Sequence, residues 1–112
     1  MNLKDQGILA KNAINQIKIN KKCSELYDYV LRNLGKYKNN FIHGLGHGLG
    51  VEIHEIPNLT LNSKDKIKNN MIFTVEPGIY FQKRFGIRIE DTVLFKNKPI
   101  VLTKTTKDLI II

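Results

Sequence analysis

The chain has 112 residues, 42% of them apolar, with 18 Lys+Arg against 10 Asp+Glu and one cysteine. That length suits one compact unit, the apolar share is that of a globular protein, and a single cysteine excludes an internal disulfide framework. No apolar run approaches the ~20 residues a bilayer crossing needs, and the polar start, Met1 to Gln6, has no secretory h-region, so a soluble cytoplasmic protein with no membrane partner is expected.

The net charge of +8 raises the question of nucleic acid, because clustered cations neutralise phosphates. The distribution argues against it. Fifteen of the cations are lysines dispersed along the chain, and arginine, the better fork for phosphate and base edges, occurs only at Arg32, Arg84 and Arg88. Sixteen Ile and twelve Asn accompany the lysines, as a general A/T-rich codon bias would produce. The excess reads as a solvated lysine surface, with no nucleic-acid partner.

Residues 3–19 place Leu3, Ile8, Ala10, Ala13, Ile14 and Ile17 at helical spacing. A second helix is expected after Ser24 as N-cap, burying Leu26, Tyr27, Val30, Leu31 and Leu34 and ending at Gly35. Strand-like runs follow at Gly50–His54, Met71–Val75, Ile79–Phe81, Gly86–Phe95 and Pro99–Leu102, with Pro57-Asn58 and Asn69-Asn70 read as turns. The fold class is therefore α+β, two helices followed by a mostly antiparallel sheet.

All three histidines, His43, His47 and His54, fall within twelve residues. His43 and His47 are four apart, the spacing of two ligands on one helical face, but glycines at 44, 46, 48 and 50 make a helix there improbable. An extended or tightly folded backbone fits better, with His43, Leu45, His47 and Leu49 on one face. Either structural or ligand histidines satisfy this pattern taken alone. Glu76 closes an apolar run just before Pro77-Gly78, where a carboxylate has little local reason to exist. Arg88 and Glu90 lie within a second apolar run and share one strand face with Thr92. Each could be a solvated charge or an intra-sheet pair. A histidine with two strand-borne glutamates is also a hard-metal ligand set, and the combination favours a metal site.

Three stretches in order, His43-Gly44-Leu45-Gly46-His47-Gly48-Leu49-Gly50, Val75-Glu76-Pro77-Gly78-Ile79-Tyr80 and Gly86-Ile87-Arg88-Ile89-Glu90-Asp91, resemble the C-terminal half of the pita-bread metallopeptidases, peptidase family M24. His43 and Arg88 place the resemblance in the Xaa-Pro branch, prolidase and aminopeptidase P. The resemblance implies a curved antiparallel sheet behind two helices, with residues 1–112 forming the second half of a pseudo-twofold catalytic domain. It implies His47 and Glu76 as metal ligands, Glu90 as a carboxylate bridging two metals, and His43 and His54 as catalytic residues flanking the substrate. His54 would stabilise the tetrahedral intermediate or move a proton, and Arg88 would support the site from outside the ligands. Two divalent ions, Mn, Co or Zn, would activate a water against the bond preceding proline in a peptide substrate.

Asn70 stands where the family usually has Gly, and Asn tolerates a left-handed turn. A larger departure concerns two aspartate ligands that the family draws from a strand hairpin in its first half. Asp5, Asp28, Asp65, Asp91 and Asp108 do not occupy such a hairpin, so the sequence is expected to begin near the family's second half. His47, Glu76 and Glu90 suffice for one ion with an open position but not for two hard ions. One half alone should also expose an apolar sheet face, which predicts self-association or a partner that supplies the N-terminal half. Three readings follow: the metal-bearing half of an Xaa-Pro peptidase, a truncated non-catalytic remnant or peptide- or protein-binding module of the same fold, and a homodimer that imitates the pseudo-twofold around a single ion.

Overall fold

A computed structural model describes residues 2–50 and 55–111. Helix α1 spans Leu3–Asn15 and opens with a capping box: the Asp5 amide donates to Asn2 Oδ1 (3.0 Å) and the Asn2 amide to Asp5 Oδ2 (3.2 Å). Its inner face buries Leu9, Ala10, Ala13 and Ile14. The helix stops short of residue 19. The Gln16 amide turns back to the Ala13 carbonyl, and Asn20 takes a positive φ of 64° that carries its amide to the Ile67 carbonyl (2.8 Å).

Helix α2 spans Cys23–Leu34, so Ser24 lies inside it and is not the cap. Extended Lys22 precedes it, held in an antiparallel bridge to Lys66, and the first helical amide, that of Cys23, is satisfied by the Asp65 carbonyl (3.0 Å). A tertiary partner thus replaces the local cap that sequence suggests. Gly35 ends the helix at φ +56°, as expected, and leads into a 3₁₀ segment, Gly35–Asn40.

Seven strands follow: β1 Gly46–Gly48, β2 Glu55–Leu59, β3 Ile72–Val75, β4 Gly78–Phe81, β5 Phe85–Arg88, β6 Asp91–Phe95 and β7 Pro99–Val101. They form a five-stranded sheet ordered β2-β1-β3-β6-β7 and a separate β4-β5 hairpin, with every pairing antiparallel. The α+β architecture with an antiparallel sheet is what the sequence predicts. Two local expectations need correction. Pro57-Asn58 is not a turn but part of β2, an edge strand where a residue without an amide proton is tolerated; the Ile56–Pro57 peptide is cis. The run Gly86–Phe95 is broken into β5 and β6, which belong to different sheets. The strand expected at Gly50–His54 falls mostly on residues outside those described; the extended backbone of the glycine-rich stretch is confined to Gly46–Gly48, with an irregularity in register between His47 and Gly48. Asn70 does adopt the left-handed conformation, at φ 71°.

Strand alternation sends Phe73, Val75, Val93 and Phe95 to the helices, where they pack with Leu26, Val30, Leu34 and Cys23 in one core. Cys23 is fully buried, and burial first, then the Asp65 charge, pushes its thiol up from 9.0 to about 12. An inert thiol is the expected result: Cys23 should resist a disulfide reagent in the folded protein at pH 8 and react only as fast as the chain unfolds. The unfolded thiol ionises near 9, so its share of stability is intact below that pH and erodes as pH climbs toward 12. Stoichiometric labelling of the native protein within the mixing time would contradict this burial.

Candidate metal centre

The site is assembled by backbone hydrogen bonds between three segments. The Glu76 amide donates to the Leu45 carbonyl (2.6 Å), and the His47 amide donates to Oγ1 of buried Thr74 (3.1 Å). These two bonds clamp β1 beside the end of β3. The Ile89 amide donates to the Pro77 carbonyl (3.2 Å), which brings the residues after β5 alongside. The clamp needs closeness that only glycine permits: a Cβ on Gly46 would occupy the space of the Thr74 carbonyl.

The result is a cluster in which His47, Glu76 and Glu90 each present a ligand atom, all within 4.8 Å of one another. His47 Nδ1 lies 3.0 Å from the Gly48 carbonyl. A carbonyl only accepts, so Nδ1 carries the proton and Nε2 is the lone-pair nitrogen. That nitrogen lies 3.9 Å from Glu76 Oε2. Glu76 Oε2 is itself buried with no hydrogen-bond partner among the described residues. Glu90 approaches the same point from between β5 and β6. Its carboxyl is held above the usual carboxylate range, chiefly because it can share a proton with Glu76, then by burial and the Glu76 charge, against the opposing pull of Arg88 and His47.

Two carboxylates forced together, an oriented imidazole lone pair and a buried acceptor without a donor are what a divalent cation would satisfy. The donor set of one nitrogen and two carboxylates therefore fits a hard or borderline ion. Among the described residues no aspartate joins the cluster. Asp5 is occupied in its capping box, Asp28 pairs with Arg32 (2.8 Å), and Asp65 accepts from the Asn58 amide (2.8 Å). Asp91, adjacent to Glu90, points to the opposite face, where it is buried against Lys107 (2.8 Å) and the Thr103 hydroxyl (2.6 Å).

Of the other residues the sequence singles out, Arg88 is exposed on β5 and acts electrostatically on Glu90. His43 lies four residues before the cluster's histidine and pairs with Tyr80, not with the carboxylates (Nε2 to Oη 2.7 Å). His54 lies outside the described residues. Thr74 and Tyr80 are the contributors that sequence reasoning misses. Thr74 sits in an unremarkable apolar strand, and Tyr80 is visible only as the end of the Glu76-Pro77-Gly78-Ile79-Tyr80 stretch.

A sequence model of metallopeptidase family M24 matches residues 8–97. The chain belongs to this family. It is 43% identical over 104 residues to the Xaa-Pro dipeptidase of Pyrococcus furiosus, covering 89% of this chain and 30% of that protein. Its fold is similar to the Xaa-Pro dipeptidase of Bacillus anthracis, with a TM-score of 0.92 and 34% identity over 98% of this chain and 32% of that one. The prolidase of Thermococcus sibiricus gives a TM-score of 0.89 and 34% identity over 96% and 30%. The M24 chain thus spans about 30% of the length of the relatives it matches. Family M24 peptidases depend on divalent metals, consistent with the chemistry of the cluster. Among the described residues, no helix is long and apolar enough to cross a membrane.

Proposed function

We propose that residues 1–112 form the second half of an M24 catalytic domain and supply His47, Glu76 and Glu90 to the metal centre of an Xaa-Pro peptidase. The observation that carries this reading is the convergence of those three ligand atoms within 4.8 Å around a buried, unsatisfied carboxylate oxygen. His47 would hold the ion through Nε2, with its tautomer set by the Gly48 carbonyl; Glu76 would ligate it from the β3 end, and Glu90 would complete the set. A divalent ion bound there, Mn, Co or Zn, supplies a low-pKa water and polarises the scissile carbonyl. The protein's own part is to keep the imidazole and both carboxylates fixed by the clamps at Leu45, Thr74 and Pro77. The Arg88 charge favours the ionised form of Glu90, the form a metal ligand needs.

The three donors among the described residues suit one ion, so a two-ion centre needs further ligands, which a segment carrying the family's two aspartates would supply, in the same polypeptide or another. The sheet supports a partner of that kind. On the face opposite the helices, Ile72, Leu94 and Ile100 line up in register across β3, β6 and β7, with Ile72 38% exposed. The substrate class is a peptide with proline after the scissile bond.

The test is to mix this chain with one carrying the preceding part of an M24 peptidase, including a two-aspartate strand pair, and to add Mn²⁺ or Co²⁺. The expected result is metal retention and release of proline from Ala-Pro, with neither chain active alone. Failure of the mixture to bind metal or cleave the dipeptide would overturn the proposal. Activity of this chain alone as a sedimenting dimer would favour self-association around a single ion.

A further inference from the structure

Glu90 belongs to no strand. β5 ends at Arg88 and β6 begins at Asp91, so the direction of this carboxylate depends on how its neighbours are held. On one side the Ile89 amide donates to the Pro77 carbonyl (3.2 Å). On the other, Asp91 is the last rung of the β3-β6 ladder, opposite Val75. Its side chain points away from the metal cluster, as alternation requires of a residue next to Glu90.

The groups that receive the Asp91 side chain come from the segment after β7. The Thr103 hydroxyl donates to Asp91 Oδ1 (2.6 Å) and accepts from the Thr92 amide (3.2 Å). Lys107 Nζ lies 2.8 Å from the same Oδ1. One backbone bond precedes these contacts, from the Leu102 amide to the Thr92 carbonyl (2.8 Å). Beyond it, among the described residues, 103–111 make no backbone-to-backbone bond. A cavity of about 660 Å³, lined by Ile8 and Lys11 of α1 and by Lys107 and Leu109, adjoins the segment, and Leu109, Ile110 and Ile111 are exposed. The segment is therefore held to the fold chiefly through Asp91 and Thr92.

We propose that residues 103–107 are a latch on the metal centre: they hold Asp91, Asp91 sets the direction in which Glu90 leaves the backbone, and docking of the segment is thereby coupled to occupation of the centre. Without Lys107 a buried carboxylate loses its cation and keeps the Thr103 hydroxyl, and the rung turns to bring that charge to water. Adjacent residues of an extended backbone point to opposite faces, so turning Asp91 draws Glu90 out of the cluster. The coupling is reciprocal. An ion that needs Glu90 in place tightens the segment by the factor by which the segment tightens the ion. Thr103 and Lys107 are positioning residues that act through Asp91. This inference rests on the metal-centre reading above and gives that centre a point of control outside its ligands.

The test uses the 112-residue chain with Co²⁺ and Zn²⁺ as probes. Lys107→Met should weaken Co²⁺ binding, followed by visible absorption, about tenfold, the low end of what an outer partner of a metal ligand is worth. Thr103→Ser, which keeps both hydroxyl bonds, should bind as the parent does. In the parent, saturating Zn²⁺ should slow hydrogen exchange at the Thr92 amide, which donates to Thr103, by a similar factor. This measurement needs no variant and decides alone if Lys107→Met does not fold. Unchanged exchange at Thr92 with the centre filled overturns the proposal. So does a Lys107→Met chain that melts lower in chelator yet gains the parent's full rise in melting temperature with Zn²⁺, because the contact is then structural only. A parent chain that binds neither ion defeats the metal-centre reading and the latch with it, whereas a parent and a Lys107→Met chain that bind equally well defeat the latch alone.

Discussion

Replacing Glu76 by Gln should change stability in opposite directions with and without metal. In the metal-free chain two carboxylates face one another, and Glu76 Oε2 is buried without a partner. A Gln amide at that point removes one negative charge and offers a donor to Glu90. The expected gain is ~1 kcal/mol, the order of one new hydrogen bond, or roughly 4–8 °C in melting temperature for a domain of this size. With Mn²⁺ or Zn²⁺ the order reverses. A ligand that binds only the folded state at 100 times its Kd stabilises by ~2.7 kcal/mol, and a chain lacking one of three protein ligands should lose most of that response. Thermal unfolding of both proteins in chelator and in metal gives the four melting temperatures required. A Glu76→Gln chain that is less stable than the parent in chelator, yet shifts equally in metal, would mean that the cluster is not a cation site.

Gly46→Ala should be the most damaging single methyl in the chain. The added Cβ would coincide with the backbone carbonyl of Thr74, which is held in the β3-β6 ladder opposite Thr92. Neither strand can yield without breaking the clamp that brings His47 to Glu76, and β1 is only three residues long. Overpacking of this kind costs about 3 kcal/mol or more, a large part of the ~5–15 kcal/mol that holds a domain together. Gly35→Ala is the control, since a Cβ there meets open space and the expense is that of the glycine-favoured backbone alone (φ +56°, ψ −119°), ~1–3 kcal/mol. Gly46→Ala should displace the denaturant midpoint from the parent's further than Gly35→Ala does. Comparable displacements would mean that β1 is not in tight contact with β3.

Periodicity makes α1, α2 and most strands legible, because their apolar positions repeat at helical or alternating intervals that survive in the folded core: Leu26, Val30 and Leu34 on one face of α2, Val93 and Phe95 on one face of β6. It fails where a distant group satisfies the backbone. Lys22 caps nothing with its side chain, yet α2 begins there because the Asp65 carbonyl takes the Cys23 amide. Pro57 lies in a strand because β2 is an edge, which local pattern does not reveal. The break between β5 and β6 is equally silent, since burial alternates without interruption through Ile87, Ile89, Asp91 and Val93 while the strands change sheets.

For the site, residue chemistry points to Glu76, Glu90 and one of the three clustered histidines, and the family resemblance narrows that to His47: a carboxylate inside an apolar run has to be explained by a partner, and a glycine-rich histidine stretch has to admit something close. The sequence by itself thus determined the residue types and their order, and it raised the expectation of a metal site. Only the tertiary structure decided that these three ligand atoms converge while the five aspartates do not, because convergence depends on hydrogen bonds between segments separated along the chain, Leu45 to Glu76 and Pro77 to Ile89. It also decided that both nitrogens of His43 are spent within the protein, one of them on a tyrosine 37 positions away. Side-chain pattern reports which groups must be buried or exposed; which group each one finds is set by strand register and close backbone approach, and those arise only when the chain is folded.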